Sequence, residues 1–190
     1  MVIGGWRGPG WRVFDADPGL CKMARDWIGA AIVASSSTAD PEDARVAVSE
    51  FFGNAIMHGP GGSVLVAYCL WPDGARVVVC DAGGRGEPRL RNEPGQEGGR
   101  GLRVVNEISA QWGSFVWGQS RVVWCDLAGP LVAAPTDAWA WLRGVLTGVD
   151  LNASQVPSCQ ASRMIALSTA SESAALVSAG EGQWQRQRRR

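Results

Sequence analysis

Two polar side chains one helical turn apart, Glu50 and Asn54, stand in a largely apolar stretch at residues 44–59 that ends on Gly59. On a helical wheel they lie together almost opposite Phe52, flanked by Val46, Ala47 and Met57, in one narrow polar slot. Asn54 offers a neutral oxygen suited to a hard cation, and Glu50 can accept a proton or orient a hydroxyl. A solvated outer face opposite Val48, Phe51, Phe52 and Ala55 would carry the same residue types. The pair therefore gains meaning only from what else the chain provides.

Two further segments bear on it. The run Val77-Val78-Val79-Cys80 reads as a buried strand and ends in Asp81-Ala82-Gly83-Gly84-Arg85-Gly86. A carboxylate at a strand end can accept a hydrogen bond from an exocyclic amine, and the glycines after it let a flat ring approach the backbone. A tight turn is the competing reading of Asp-x-Gly-Gly. The second segment, Gly98-Gly99-Arg100-Gly101, precedes a short helical pattern. Bare amides at a helix start make an anion cradle, to which Arg100 adds a fork of donors; a solvated hinge is the alternative. No Gly-Lys-Ser/Thr follows, so this is not a Walker loop, and the strand–helix context of a dinucleotide fingerprint is missing.

The elements that must position these groups follow from local signals. Residues 12–15 alternate weakly and suit an edge strand. Asp17-Pro18 opens a helix carrying Leu20, Met23, Ala24, Trp27, Ile28 and Ala31 on an apolar stripe, and Asp40-Pro41 opens the central helix with acidic residues in its first turn. Residues 63–71 and 75–81 are β-rich and joined through Pro72-Asp73-Gly74, a hairpin signal. After the glycine-rich segment 82–101 come a short helix with Leu102, Val105, Asn106 and Ile108, then a hairpin of residues 111–116 and 121–127. The order predicts an α+β, two-layer α/β sandwich with a mostly antiparallel sheet and helices on one face. Residues 1–10 read as a flexible N-terminus, 11–128 as one domain, and 129–190 as a partly disordered appendage with one short helix at 138–146.

Composition narrows the classes. Eighteen basic and 18 acidic residues balance, which argues against direct nucleic-acid or membrane-surface binding; the Arg188-Arg189-Arg190 end reads as a frayed tail. Five cysteines without metal-type spacing, three of them in strand-like runs, suit a reducing cytoplasm. The opening residues do not read as a signal peptide, and no apolar run is long enough to span a bilayer, so a soluble protein is expected.

Taken together, Ser49-Glu50-Phe51-Phe52-Gly53-Asn54-Ala55-Ile56-Met57-His58-Gly59 resembles the N box, Val79-Cys80-Asp81-Ala82-Gly83-Gly84 the G1 box and Glu97-Gly98-Gly99-Arg100-Gly101-Leu102 the G2 box of the gyrase, heat-shock-90, histidine-kinase and mismatch-repair ATPase superfamily. The Gly-Arg-Gly-Leu form with a later Trp112-Gly113 is similar to the bacterial anti-sigma-factor serine/threonine kinases. The resemblance covers about residues 10–128 in the family's order. It departs at Arg85, where a glycine is expected, and in a short lid segment, 87–96, that carries Pro88 and Pro94.

The resemblance implies the Bergerat fold and ATP with Mg2+. It implies a kinase that phosphorylates an anti-anti-sigma partner, sequesters a sigma factor, or does both, and a homodimer. Carried over residue by residue, it makes Glu50 the catalytic base, Asn54 the magnesium ligand and Asp81 the adenine reader. Gly83, Gly99 and Gly101 then shape the pocket and Arg100 faces the phosphates. His58 matches a histidine frequent at this helix end, where the helix dipole gives it a structural role. Two readings stay beside the kinase: a non-catalytic nucleotide-dependent protein-binding module, and a degenerate interaction domain.

Overall fold

The computed structural model describes residues 9–83, 100–128, 137–149, 151 and 185–188. Among the described residues six strands form one antiparallel sheet: β1 (Gly10–Asp15), β2 (Ser63–Trp71), β3 (Gly74–Asp81), β4 (Gln111–Trp117), β5 (Ser120–Ala128) and β6 (Gln185–Arg188). Their order is β1-β2-β3-β5-β4-β6. Helices α1 (Cys21–Val33), α2 (Pro41–His58) and α3 (Arg100–Ile108) are joined by a fourth, α4 (Asp137–Gly148). The α+β sandwich with an antiparallel sheet read from the sequence is the observed architecture, with one correction: the helices are not confined to one face, because α4 packs on the face opposite α1, α2 and α3.

Local chemistry sets the helix ends. At α2 the Asp40 carboxylate accepts from the Glu42 N–H at 2.8 Å, Pro41 occupies the first turn, and Glu42 and Asp43 complement the positive end of the dipole. Gly59 closes the helix by donating its N–H to the Ala55 carbonyl at 2.9 Å. Asp17 caps a 3-10 turn, Pro18–Leu20, from which α1 continues. On α1 the buried face is Ala24, Ile28 and Ile32, spaced by four, whereas Met23 is half exposed, so the stripe is narrower than the sequence pattern suggested.

Strand register sorts the side chains into two layers. Asp81 pairs with Arg121, Val79 with Val123 and Val77 with Cys125. Val77, Val79, Val123 and Cys125 share a core with Val48, Phe51, Phe52 and Ala55 of α2. The alternate residues, Leu65, Ala67, Val78, Cys80, Val122 and Trp124, form a second core closed by Leu142, Val145 and Leu146 of α4 and by Leu151. Every residue of β3 is buried as a result. The unbroken apolar run of residues 77–80 is the sequence signature of a strand covered on both faces.

The second layer also buries a charge pair. Arg76 meets Asp126 in two hydrogen bonds of 2.7 and 2.8 Å, and the Gln111 side chain donates to the same carboxylate at 2.5 Å. The guanidinium lies against two indoles that meet edge to face, 3.9 Å from the Trp139 ring centre and 4.7 Å from that of Trp124. β6 was not expected from sequence, because Gln185-Arg186-Gln187-Arg188 has no apolar alternation; its backbone pairs with the β4 edge, Gln111 opposite Arg188 and Ser114 opposite Gln185.

Candidate functional site

Helix α2 is the axis of the site. Its core face, Val48, Phe51, Phe52 and Ala55, is at most 3 % exposed, which fixes the rotation of the helix and leaves Glu50 and Asn54 half-buried on its flank. Glu50 lies against the first turn of α3. A Cβ added to Gly101 would overlap the Glu50 carboxylate and stand 3.1 Å from its Cγ. Only a residue without a side chain permits that approach, and a carboxylate there is favoured by the unpaired N–H groups at the start of a helix.

At the C-terminal end of α2, the ideal Cβ position of Gly59 lies 3.7 Å from the Asp81 Cβ. The helix terminus thus abuts the end of β3. Asp81 is buried, and its Oδ1 accepts the Gly83 N–H at 2.7 Å. Burial pushes its carboxyl above the usual range, while the Arg121 charge and the Gly83 hydrogen bond pull it back. Gly83 has φ +87, and a Cβ on it would overlap the Gln119 carbonyl oxygen in the β4–β5 turn, so glycine is required twice over.

The structure therefore brings Glu50 to Gly101 midway along α2, and Asp81 to Gly83 and to the C-terminal end of the same helix. Asn54 follows Glu50 by one turn of α2 and is half-buried. Arg100 begins α3. Gly99, Arg85 and the segment 87–96 lie outside the described residues. His58 is the last residue of α2 and is exposed. Sequence reasoning missed Arg121, a buried arginine directly across from Asp81 on β5. Only the β3–β5 register could have pointed to it.

The end of β3 and the start of α3 thus both meet α2, and the family model described as a histidine kinase-like ATPase domain matches residues 14–114, more than half of the 190-residue chain. The chain belongs to the histidine kinase-like ATPase family. Comparison with curated proteins finds no match.

For a histidine kinase-like ATPase domain the family implies ATP binding, commonly with Mg2+. The residues fit such a ligand. Asp81 is a buried acceptor at the end of β3, and Glu50 lies against the first turn of α3, with Asn54 one turn further along α2. Among the described residues no group of three or more His, Cys, Asp or Glu is gathered as a metal cage. A cation in this ATPase domain would take Asn54 and otherwise the nucleotide's own phosphates and water, as a magnesium ion does. No helix of the described residues is long and apolar enough to cross a membrane.

Proposed function

We propose that this ATPase domain is an ATP-dependent serine/threonine protein kinase of the anti-sigma type, acting on an anti-anti-sigma-like protein and holding a sigma factor when that partner is absent. The observation that carries the reading is that α2 meets both other segments, Glu50 against Gly101 midway along the helix and Gly59 against Asp81 at its C-terminal end. Nine helical steps separate Glu50 from Gly59, about 13.5 Å at 1.5 Å per residue, a span on the scale of a nucleoside triphosphate.

In this reading Asp81 accepts from the base amine, Gly83 holds the Asp81 carboxylate through its N–H and lets the β4–β5 turn close against the strand end, and Asn54 supplies one oxygen to Mg2+. Gly99, Arg100 and Gly101 hold the phosphates through backbone N–H groups and the guanidinium. ATP would supply the γ-phosphoryl group and depart as ADP, and the cation would offset the phosphate charge. Glu50 orients the acceptor serine hydroxyl and takes its proton as the oxygen becomes the nucleophile. Phosphoryl transfer needs positioning and charge neutralisation more than covalent chemistry, so this short set of residues suffices. The cysteines of the described residues form no disulfide, which suits action in the cytoplasm.

The test is labelled ATP with a panel of purified anti-anti-sigma-like proteins. Wild type transfers label to a serine or threonine of one of them. Glu50→Gln binds ATP with unchanged affinity and transfers none. Full transfer by Glu50→Gln refutes the assigned role. Nucleotide-dependent capture of a partner with no transfer by wild type replaces the kinase with a non-catalytic binding module, and an absence of ATP binding leaves a degenerate interaction domain.

A further inference from the structure

Arg121 sits directly opposite Asp81 in the antiparallel pairing of β3 with β5, so both side chains leave the sheet on the same face. That face is the one α2 packs against. Arg121 is 7 % exposed, and its Nη2 is buried with no hydrogen-bond partner. A guanidinium N–H taken from water without an acceptor is costly, and such groups are rare unless something else completes them. On the far side of Arg121 its β4 partner, Val116, is 65 % exposed, so this corner of the face borders solvent. An acceptor and an unfilled donor therefore stand side by side at the base end of the site.

We propose that Arg121 is a second base-reading residue, donating to the ring nitrogen N1 of adenine while Asp81 accepts from the neighbouring 6-amino group. The two protein groups, one acceptor and one donor, match the two adjacent groups of that edge, one donor and one acceptor. The charge on Arg121 has a second effect: it opposes the influence of burial on Asp81, which favours the carboxylate as an acceptor. The inference rests on the ATP reading above and adds to it the edge of the base that is recognised.

Titration calorimetry with ATP, 1-deaza-ATP (N1 replaced by C–H) and purine riboside triphosphate (no 6-amino group) tests this. Wild type binds 1-deaza-ATP about tenfold or more weakly than ATP, as the loss of one charge-assisted hydrogen bond requires. Arg121→Met lowers ATP to the 1-deaza-ATP level and removes the difference between them, while the penalty for purine riboside triphosphate, which Asp81 imposes, stays. Arg121→Lys, which keeps a donor, retains part of the N1 discrimination. Equal binding of ATP and 1-deaza-ATP by wild type overturns the inference whether or not the variants fold, and so does an Arg121→Met variant that weakens both ligands by one common factor. Absence of ATP binding by folded wild type overturns the proposed function and this inference with it.

Discussion

The Glu50 carboxylate occupies the space that a side chain at Gly101 would fill. The carboxylate proposed as the catalytic base is thus accommodated on one helix by a missing Cβ on another, 51 residues later in the chain. The overlapping atoms belong to the end of a flexible side chain, so Gly101→Ala should displace Glu50 rather than unfold the protein. Alanine exceeds glycine in helix propensity by about 1 kcal/mol, which offsets part of the lost contact. The expected result is a fall in phosphoryl transfer of at least about tenfold with Tm shifted by only a few degrees. Unchanged turnover in the alanine variant would refute the contact's importance.

Asp81 gives a pH dependence of determinable sign. Its carboxyl is raised by burial, so the folded domain binds this proton more readily than the unfolded chain does. In the window between the ordinary carboxylate value and the raised one, this group's contribution to stability declines as pH rises. Nucleotide binding runs the other way, because a protonated Asp81 is a poorer acceptor. ATP affinity should weaken on acidification at a pH above the ordinary carboxylate range, and Asp81→Asn should bind weakly with that pH step gone. Titrations of both proteins across acidic to neutral pH check this.

Arg76 and Asp126 are 3 % and 2 % exposed, so neither can be left alone at small cost. Asp126→Ala should destabilise the domain by about 3–5 kcal/mol, because it strands a guanidinium against Trp124 and Trp139. The double variant Arg76→Met with Asp126→Leu should recover most of that loss. Urea unfolding of the three proteins measures it, and additive losses in the double variant would count against the pair.

Thiol chemistry should report the two cores. The Cys80 thiol is pushed up to about 12 by burial and by the neighbouring Asp81, and Cys125 well above its ordinary value, chiefly by burial. With native protein at pH 8, iodoacetamide should modify partly exposed Cys21 first and leave Cys69, Cys80 and Cys125 unmodified until denaturant is added. Mass spectrometry assigns the sites. Rapid native labelling of Cys80 would contradict the closed second layer.

Much of the site was legible because its parts are local. Asp40-Pro41 starts α2 and Gly59 ends it, and the apolar spacing of residues 48–55 fixes which way Glu50 and Asn54 turn. The Pro72-Asp73-Gly74 signal places the β2–β3 turn, and with it Asp81 at a strand end. Arg121 was not legible. In sequence it is one basic residue after a turn, and its meaning comes only from the antiparallel register that sets it against Asp81. β6 was hidden for a related reason, since its pairing depends on the open edge of β4 rather than on any pattern of its own.

The sequence by itself determined the helix ends, the strand runs and the three segments whose residue types suit a nucleotide, because caps, turns and hydrophobic periodicity act over a few residues. Only the tertiary structure decided that the carboxylate of Glu50 lies on Gly101, that Arg121 stands beside Asp81, and that α4 closes the second face of the sheet over Arg76 and Asp126. Those contacts join residues tens of positions apart. They exist because sheet register and the close packing of two buried layers choose among many pairings that local chemistry leaves equal.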